Sequence, residues 1–124
     1  MNLDEFDHVV LLAHGSTDPM WKLPFERLHK IMLKESGAKN CSLAYMELCE
    51  PSFENVILGL ADSVKNVAVL PLFFATGRHL RFDVPKQIAE LTTDDRVIHL
   101  LPPIGDDERI QLAMIDIVKS HLGK

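Results

Sequence analysis

Four short apolar runs, each followed by a stretch with helical spacing, constrain this chain more than any other feature. The runs are Val9–Ala13, Cys41–Met46, Val67–Phe74 and Val97–Leu101. Each is too short for a helix and long enough for a buried strand. Between Trp21 and about Glu35, Phe25, Leu28, Ile31 and Met32 recur at helical spacing. Ser36-Gly37 is expected to end that helix. Glu50-Pro51-Ser52 is expected to start a second helix, with Pro51 in its first turn and an apolar stripe of Phe53, Val56, Ile57 and Leu60. Asp83-Val84-Pro85 opens a third, with Val84, Ile88 and Leu91 on one face. Asp106-Asp107-Glu108 opens a fourth, and Ile110, Ala113, Met114, Ile117 and Val118 are its expected buried stripe. Acids at its start and Lys119 and Lys124 near its end suit the helix dipole. Pro71 has no amide to donate, so regular pairing of the third strand is expected to end near it. The order βαβαβαβα predicts an α/β fold: a four-stranded parallel sheet with helices on both faces.

At 124 residues the chain is long enough for one domain, expected to span residues 1–124, with a core that needs no cross-links. No repeat, low-complexity run or linker divides it. Thirteen basic against eighteen acidic residues, net −5, argue against nucleic acid or an anionic membrane as a partner. No run approaches the ~20 apolar residues of a membrane span, and the acidic start MNLDEFDH is unlike a signal or transit peptide. The two cysteines, Cys41 and Cys49, form no CxxC and have no second pair. That pattern fits a reducing cytoplasm rather than a disulfide framework or a zinc ribbon.

Ligands of parallel α/β sheets sit beyond the carboxyl ends of the strands. There the chain places His14-Gly15-Ser16 after the first run, Glu47 after the second, Thr76 to Arg81 after the third and Pro102 to Gly105 after the fourth. Two imidazoles, His14 and His79, and one carboxylate, Glu47, could hold a divalent transition metal or serve as an acid–base set. Each has a bland reading as well: a histidine at a strand end is often a polar loop residue, and Glu47 can simply start a turn. Gly15 and Ser16 suggest a backbone cradle. Gly77-Arg78-His79-Leu80-Arg81, with Lys86, puts three positive charges within nine residues of an acidic chain. Arg78 and Arg81 could pair with carboxylates or phosphates, against a default reading as a solvated helix entrance. His8, His29, His99 and His121 fall in structural positions, and Cys49 reads as a small buried residue.

The segment LLAHGSTDPMWKLPFERL, with its His-Gly-Ser-x-Asp-Pro core, resembles the N-terminal signature of the CbiX/SirB sirohydrochlorin chelatases. YMELCEPSF and VLPLFFATGRHLRFDVPKQI resemble that family's second and third signatures. The likeness runs in order from His14 to Ile88 and is to the short, single-domain form. It implies a class II chelatase-like single lobe and insertion of Co²⁺, Fe²⁺ or Ni²⁺ into sirohydrochlorin, a precursor of sirohaem and cobalamin. It implies metal handling by His14 and His79 and a part for the acidic Glu47. Ser16, Gly77, Arg78 and Arg81 become candidate contacts to the substrate, whose carboxylates would explain a basic loop on an acidic chain. The metal is a substrate here, and no organic cofactor is expected. Long members carry two such domains, so a short one is expected to form a homodimer.

Other classes fit less well. A histidine phosphatase needs Arg before His-Gly, where this chain has Ala13. A phospho-receiver domain needs an acidic cluster where His14 stands, and a serine hydrolase needs a G-x-S-x-G elbow that is missing around Ser16. A non-catalytic metal or tetrapyrrole carrier on the same scaffold stays open, because ligands bind before they react.

Overall fold

A computed structural model describes residues 6–35, 40–75 and 77–123, together with the main chain alone at Glu35, His79 and Leu80. Four strands, β1 (His8–Ala13), β2 (Cys41–Tyr45), β3 (Asn66–Pro71) and β4 (Val97–Leu100), form one sheet in the order β2-β1-β3-β4. All three pairings are parallel. β3 ends at Pro71, as expected of a residue without an amide, although Leu72 still donates to Leu12 across 2.8 Å. The helices are α1 (Pro19–Glu35), α2 (Phe53–Leu58), α3 (Val84–Leu91) and α4 (Glu108–His121). The Ser36-Gly37 stop of the first helix and Lys124 lie outside the described residues.

Alternation along the strands divides the core into two layers. On one face Val10, Leu12, Ala44, Val67, Val69 and Ile98 pack with Phe53 and Ile57 of α2 and Val84 of α3. On the other, Leu11, Ala13, Leu43 and Tyr45 pack under Trp21, Phe25 and Met32 of α1. Helices therefore lie on both faces. Arg96, just before β4, locks the α2 connection: its guanidinium donates to the carbonyls of Ile57, Ala61 and Val64 at 2.7–2.9 Å.

Two local expectations are corrected. Pro51 stands outside the second helix, whose N-cap is Ser52: its hydroxyl oxygen accepts from the amide of Asn55 at 3.1 Å. The Glu50 carboxylate supports this start by accepting from the Ser52 amide at 2.9 Å. The expected buried stripe of the fourth helix is not buried. Ala113, Met114, Ile117 and Val118 are exposed, Ile110 is half-buried, and α4 packs mainly against the short 3-10 turn Ile104–Asp106 that precedes it. Amphipathic spacing says that a helix has an apolar face. It does not say that the same chain covers it.

Candidate functional site

The turn from β1 into α1 explains every residue of His14-Gly15-Ser16-Thr17-Asp18-Pro19. Gly15 has φ +103°, and a Cβ there would overlap the carbonyl oxygen of Glu47, so only glycine lets the two main chains touch. The Ser16 hydroxyl oxygen accepts from the Asp18 amide at 3.0 Å, which leaves its own proton available for donation. The Asp18 carboxylate then accepts from the Met20 amide at 2.9 Å and caps α1, whose first residue is Pro19.

The β1–β2 pairing continues past the strands. Met46 donates to Ala13 at 2.9 Å and Glu47 to His14 at 3.1 Å. His14 and Glu47 are thus main-chain neighbours at one edge of the sheet, and both are exposed there. Leu48, next to Glu47, takes a left-handed φ of +70° and is exposed. Such a conformation is costly for leucine, and it turns the chain sharply behind Glu47.

The ring of His14 stacks on Phe73, with centroids 4.0 Å apart and planes 19° from parallel. Phe73 is a floor rather than a rim, being only 6% exposed. It is held from the fourth loop, where the Gly105 amide donates to its carbonyl at 2.9 Å. A Cβ on Gly105 would overlap the main chain of Phe74. Loops one, two and four therefore converge on the end of β3 through two glycine contacts.

Gly77 and Arg78, both exposed, lead into a wider, π-type turn His79–Asp83 before α3, and the Arg81 amide donates to the Gly77 carbonyl at 3.1 Å. Turns of this kind recur at functional sites. Arg81 is exposed and lies over the Phe82 ring, 5.5 Å from its centroid. The side chain of His79 and all of Thr76 lie outside the described residues. Among the described residues no three potential ligands converge as a closed metal site. A shallow cavity along α1 and the outer side of β2, lined by Lys22, Glu26, His29, Lys30 and Tyr45 among others, includes none of the candidate residues.

Sequence reasoning found His14 and Glu47 from their position after strands, but missed Phe73 and Gly105. Phe73 reads in sequence as one more apolar strand residue, and nothing local marks it as a platform for an imidazole.

A four-stranded parallel lobe with a histidine, a carboxylate and an arginine-bearing turn along its carboxyl edge defines a class II chelatase-like protein. The CbiX family model matches residues 8–121, and the chain belongs to that family. It is similar to the cobalamin (vitamin B12) biosynthesis CbiX protein of Marinobacter aquaeolei, whose solved structure superposes with a TM-score of 0.76 at 39% identity, covering 94% of this chain and 97% of that one. It is 29% identical to the sirohydrochlorin cobaltochelatase of Methanopyrus kandleri, over 94% of this chain and 97% of that one. It is 27% identical to the chloroplastic sirohydrochlorin ferrochelatase of Arabidopsis thaliana, over 97% of this chain but only 53% of that protein.

Proposed function

We propose that this chain inserts a divalent metal ion into sirohydrochlorin. The observation that carries the reading is the seating of His14 on Phe73, beside Glu47, in a chain similar to sirohydrochlorin chelatases. Insertion requires a hydrated dication to be held loosely and the macrocycle to lose two pyrrole protons. A neutral imidazole suits the first task for Co²⁺, Fe²⁺ or Ni²⁺. His14 and His79 present the metal, with Phe73 keeping the His14 ring from turning into the loop. Glu47, exposed beside them, receives protons or guides the ion. Ser16, Gly77, Arg78 and Arg81 receive the carboxylates at the periphery of the ring.

A single lobe offers the macrocycle one wall. The Arabidopsis relative is about twice the length that this chain covers, which supports a homodimer in which a second copy supplies the other wall. Among the described residues no helix is long and apolar enough to cross a membrane. Cys41 and Cys49 are free thiols, in keeping with the cytoplasm.

The test mixes metal-free protein with excess sirohydrochlorin and each of Co²⁺, Fe²⁺ and Ni²⁺, following the visible spectrum. Many equivalents of metallated product per chain are expected with at least one metal. A change that stops at one equivalent with all three would identify a carrier instead. Glu47→Gln should lower the height or move the position of the pH–rate profile; an unchanged profile returns Glu47 to a structural role.

A further inference from the structure

Helix α4 carries more apolar surface than its own chain uses. At about 100° per residue, Ala113, Ile117, Ile110, Met114, Val118, Leu122 and Ile115 fall in that order around an arc of about 200°, broken only by His121 and Gln111. A helix lying on one surface needs an apolar stripe of little more than ~100°. Yet every α4 residue from Gln111 onward is exposed, including Ile115 at 50%, Val118 at 57% and Leu122 at 65%.

The sheet shows the matching vacancy. In register, Asn66 pairs with Val97 and Ala68 with His99, so Val97 and His99 share the α1 face of the sheet with Leu70. α1 covers the β1–β2 half of that face. On the β4 side Val97 is 44% exposed and His99 is exposed, whereas Ile98, on the opposite face, is buried. α1 also leaves Met20, Leu28 and Ile31 exposed, within about 80° of one another on its surface. A helix seated on β3 and β4 beside α1 would meet two apolar walls, which is what an arc of about 200° requires.

The chain's own α4 is held away from that seat. The Asp107 carboxylate accepts from the Arg109 amide at 2.9 Å and pairs with the Arg109 guanidinium at 2.7 Å, which fixes the first turn of α4. Gly105 is pinned between the Phe73 carbonyl and the main chain of Phe74. Gln111 donates back to the Gly105 carbonyl at 3.3 Å. Folding α4 back onto its own sheet would break these contacts.

We infer that two copies exchange their α4 helices, each seating on the β3–β4 half of the other's sheet beside α1. This rests on the homodimer reading and adds how the two copies are held. The size is right. A 14-residue helix is about 21 Å long and about 10 Å wide, so two reciprocal seatings bury roughly 1,300 Å² in all, within the ~1,200–2,000 Å² of stable interfaces.

Sedimentation of the full chain and of two variants tests the exchange. The unaltered chain should sediment at twice its 14.0 kDa mass. Ile115→Asp/Val118→Asp, on the helix, and Val97→Asp, on the seat, should each shift it to a single chain at micromolar concentration, with the helical circular dichroism kept. A monomeric unaltered chain would overturn both the exchange and the homodimer. A dimer indifferent to the helix variant, or broken by it but not by Val97→Asp, would overturn the exchange and leave the homodimer standing. If a variant loses its fold with its partner, oxidation of a mixture of Val97→Cys and Val118→Cys chains, both carrying Cys49→Ser, decides the matter. A covalent heterodimer is expected, and its absence would overturn the exchange.

Discussion

The amide of Glu47 donates to the carbonyl of His14 across 3.1 Å, one residue past the last pair of the β1–β2 ladder. The bond places the two functional positions by main chain alone, whatever their side chains do. It is possible because residue 15 is glycine, and the same contact makes that residue irreplaceable.

Gly15→Ala should therefore destabilise the fold and disable the site together. A left-handed φ costs a non-glycine residue on the order of 1–3 kcal/mol, and overlap with the Glu47 carbonyl adds to that. Urea denaturation should show the loss in the midpoint. Gly105→Ala meets the main chain of Phe74 and should act in the same direction. Normal stability with normal turnover in either variant would show that the loop contacts are not needed.

His14→Ala and His79→Ala should each reduce metal insertion by about 10²-fold or more, the usual scale for a group acting directly in proton or metal transfer. Folding should survive, because His14 lies in a surface loop. Phe73→Leu keeps a buried apolar residue and removes the stacking partner of His14. It should give an intermediate loss of turnover with sirohydrochlorin affinity retained.

The Arg78→Ala/Arg81→Ala double variant should bind sirohydrochlorin more weakly. One charge-assisted pair contributes about 1.5–3 kcal/mol, or roughly 10–150-fold in affinity. Binding to the unaltered chain should also weaken as salt is raised, and that salt dependence should shrink in the variant. Tight binding by the variant, equally insensitive to salt, would remove the arginines from the site.

Acid should destabilise this protein in part through His8. Burial, and then the charge of Arg96, lower its pKa below the ordinary 6.5. The folded state thus binds fewer protons than the unfolded one as pH falls through the unfolded value. The stability contributed by neutral His8 is full above about pH 6.5 and declines below it. His8→Gln should flatten the fall in melting temperature between pH 7 and pH 5. The Ser42 hydroxyl, 2.7 Å from Nε2, remains within reach of a side-chain amide.

The amino-acid sequence by itself determined the alternation of strands and helices, the parallel sheet and the edge at which His14 and Glu47 lie. These follow from local periodicity, from Pro71, and from a turn whose glycine, serine, aspartate and proline each have a main-chain task. Tertiary structure alone decided that Phe73 supports His14, that Gly105 holds Phe73, and that α4 leaves its own sheet. The reason is physical. Periodicity records that a side chain is meant to be covered, whereas the identity of what covers it depends on contacts between residues far apart in the chain. For α4, the spacing of Ile110, Met114, Ile117 and Val118 is the same whether the helix returns to its own sheet or reaches another. Only the direction imposed by Gly105 and Asp107 separates the two.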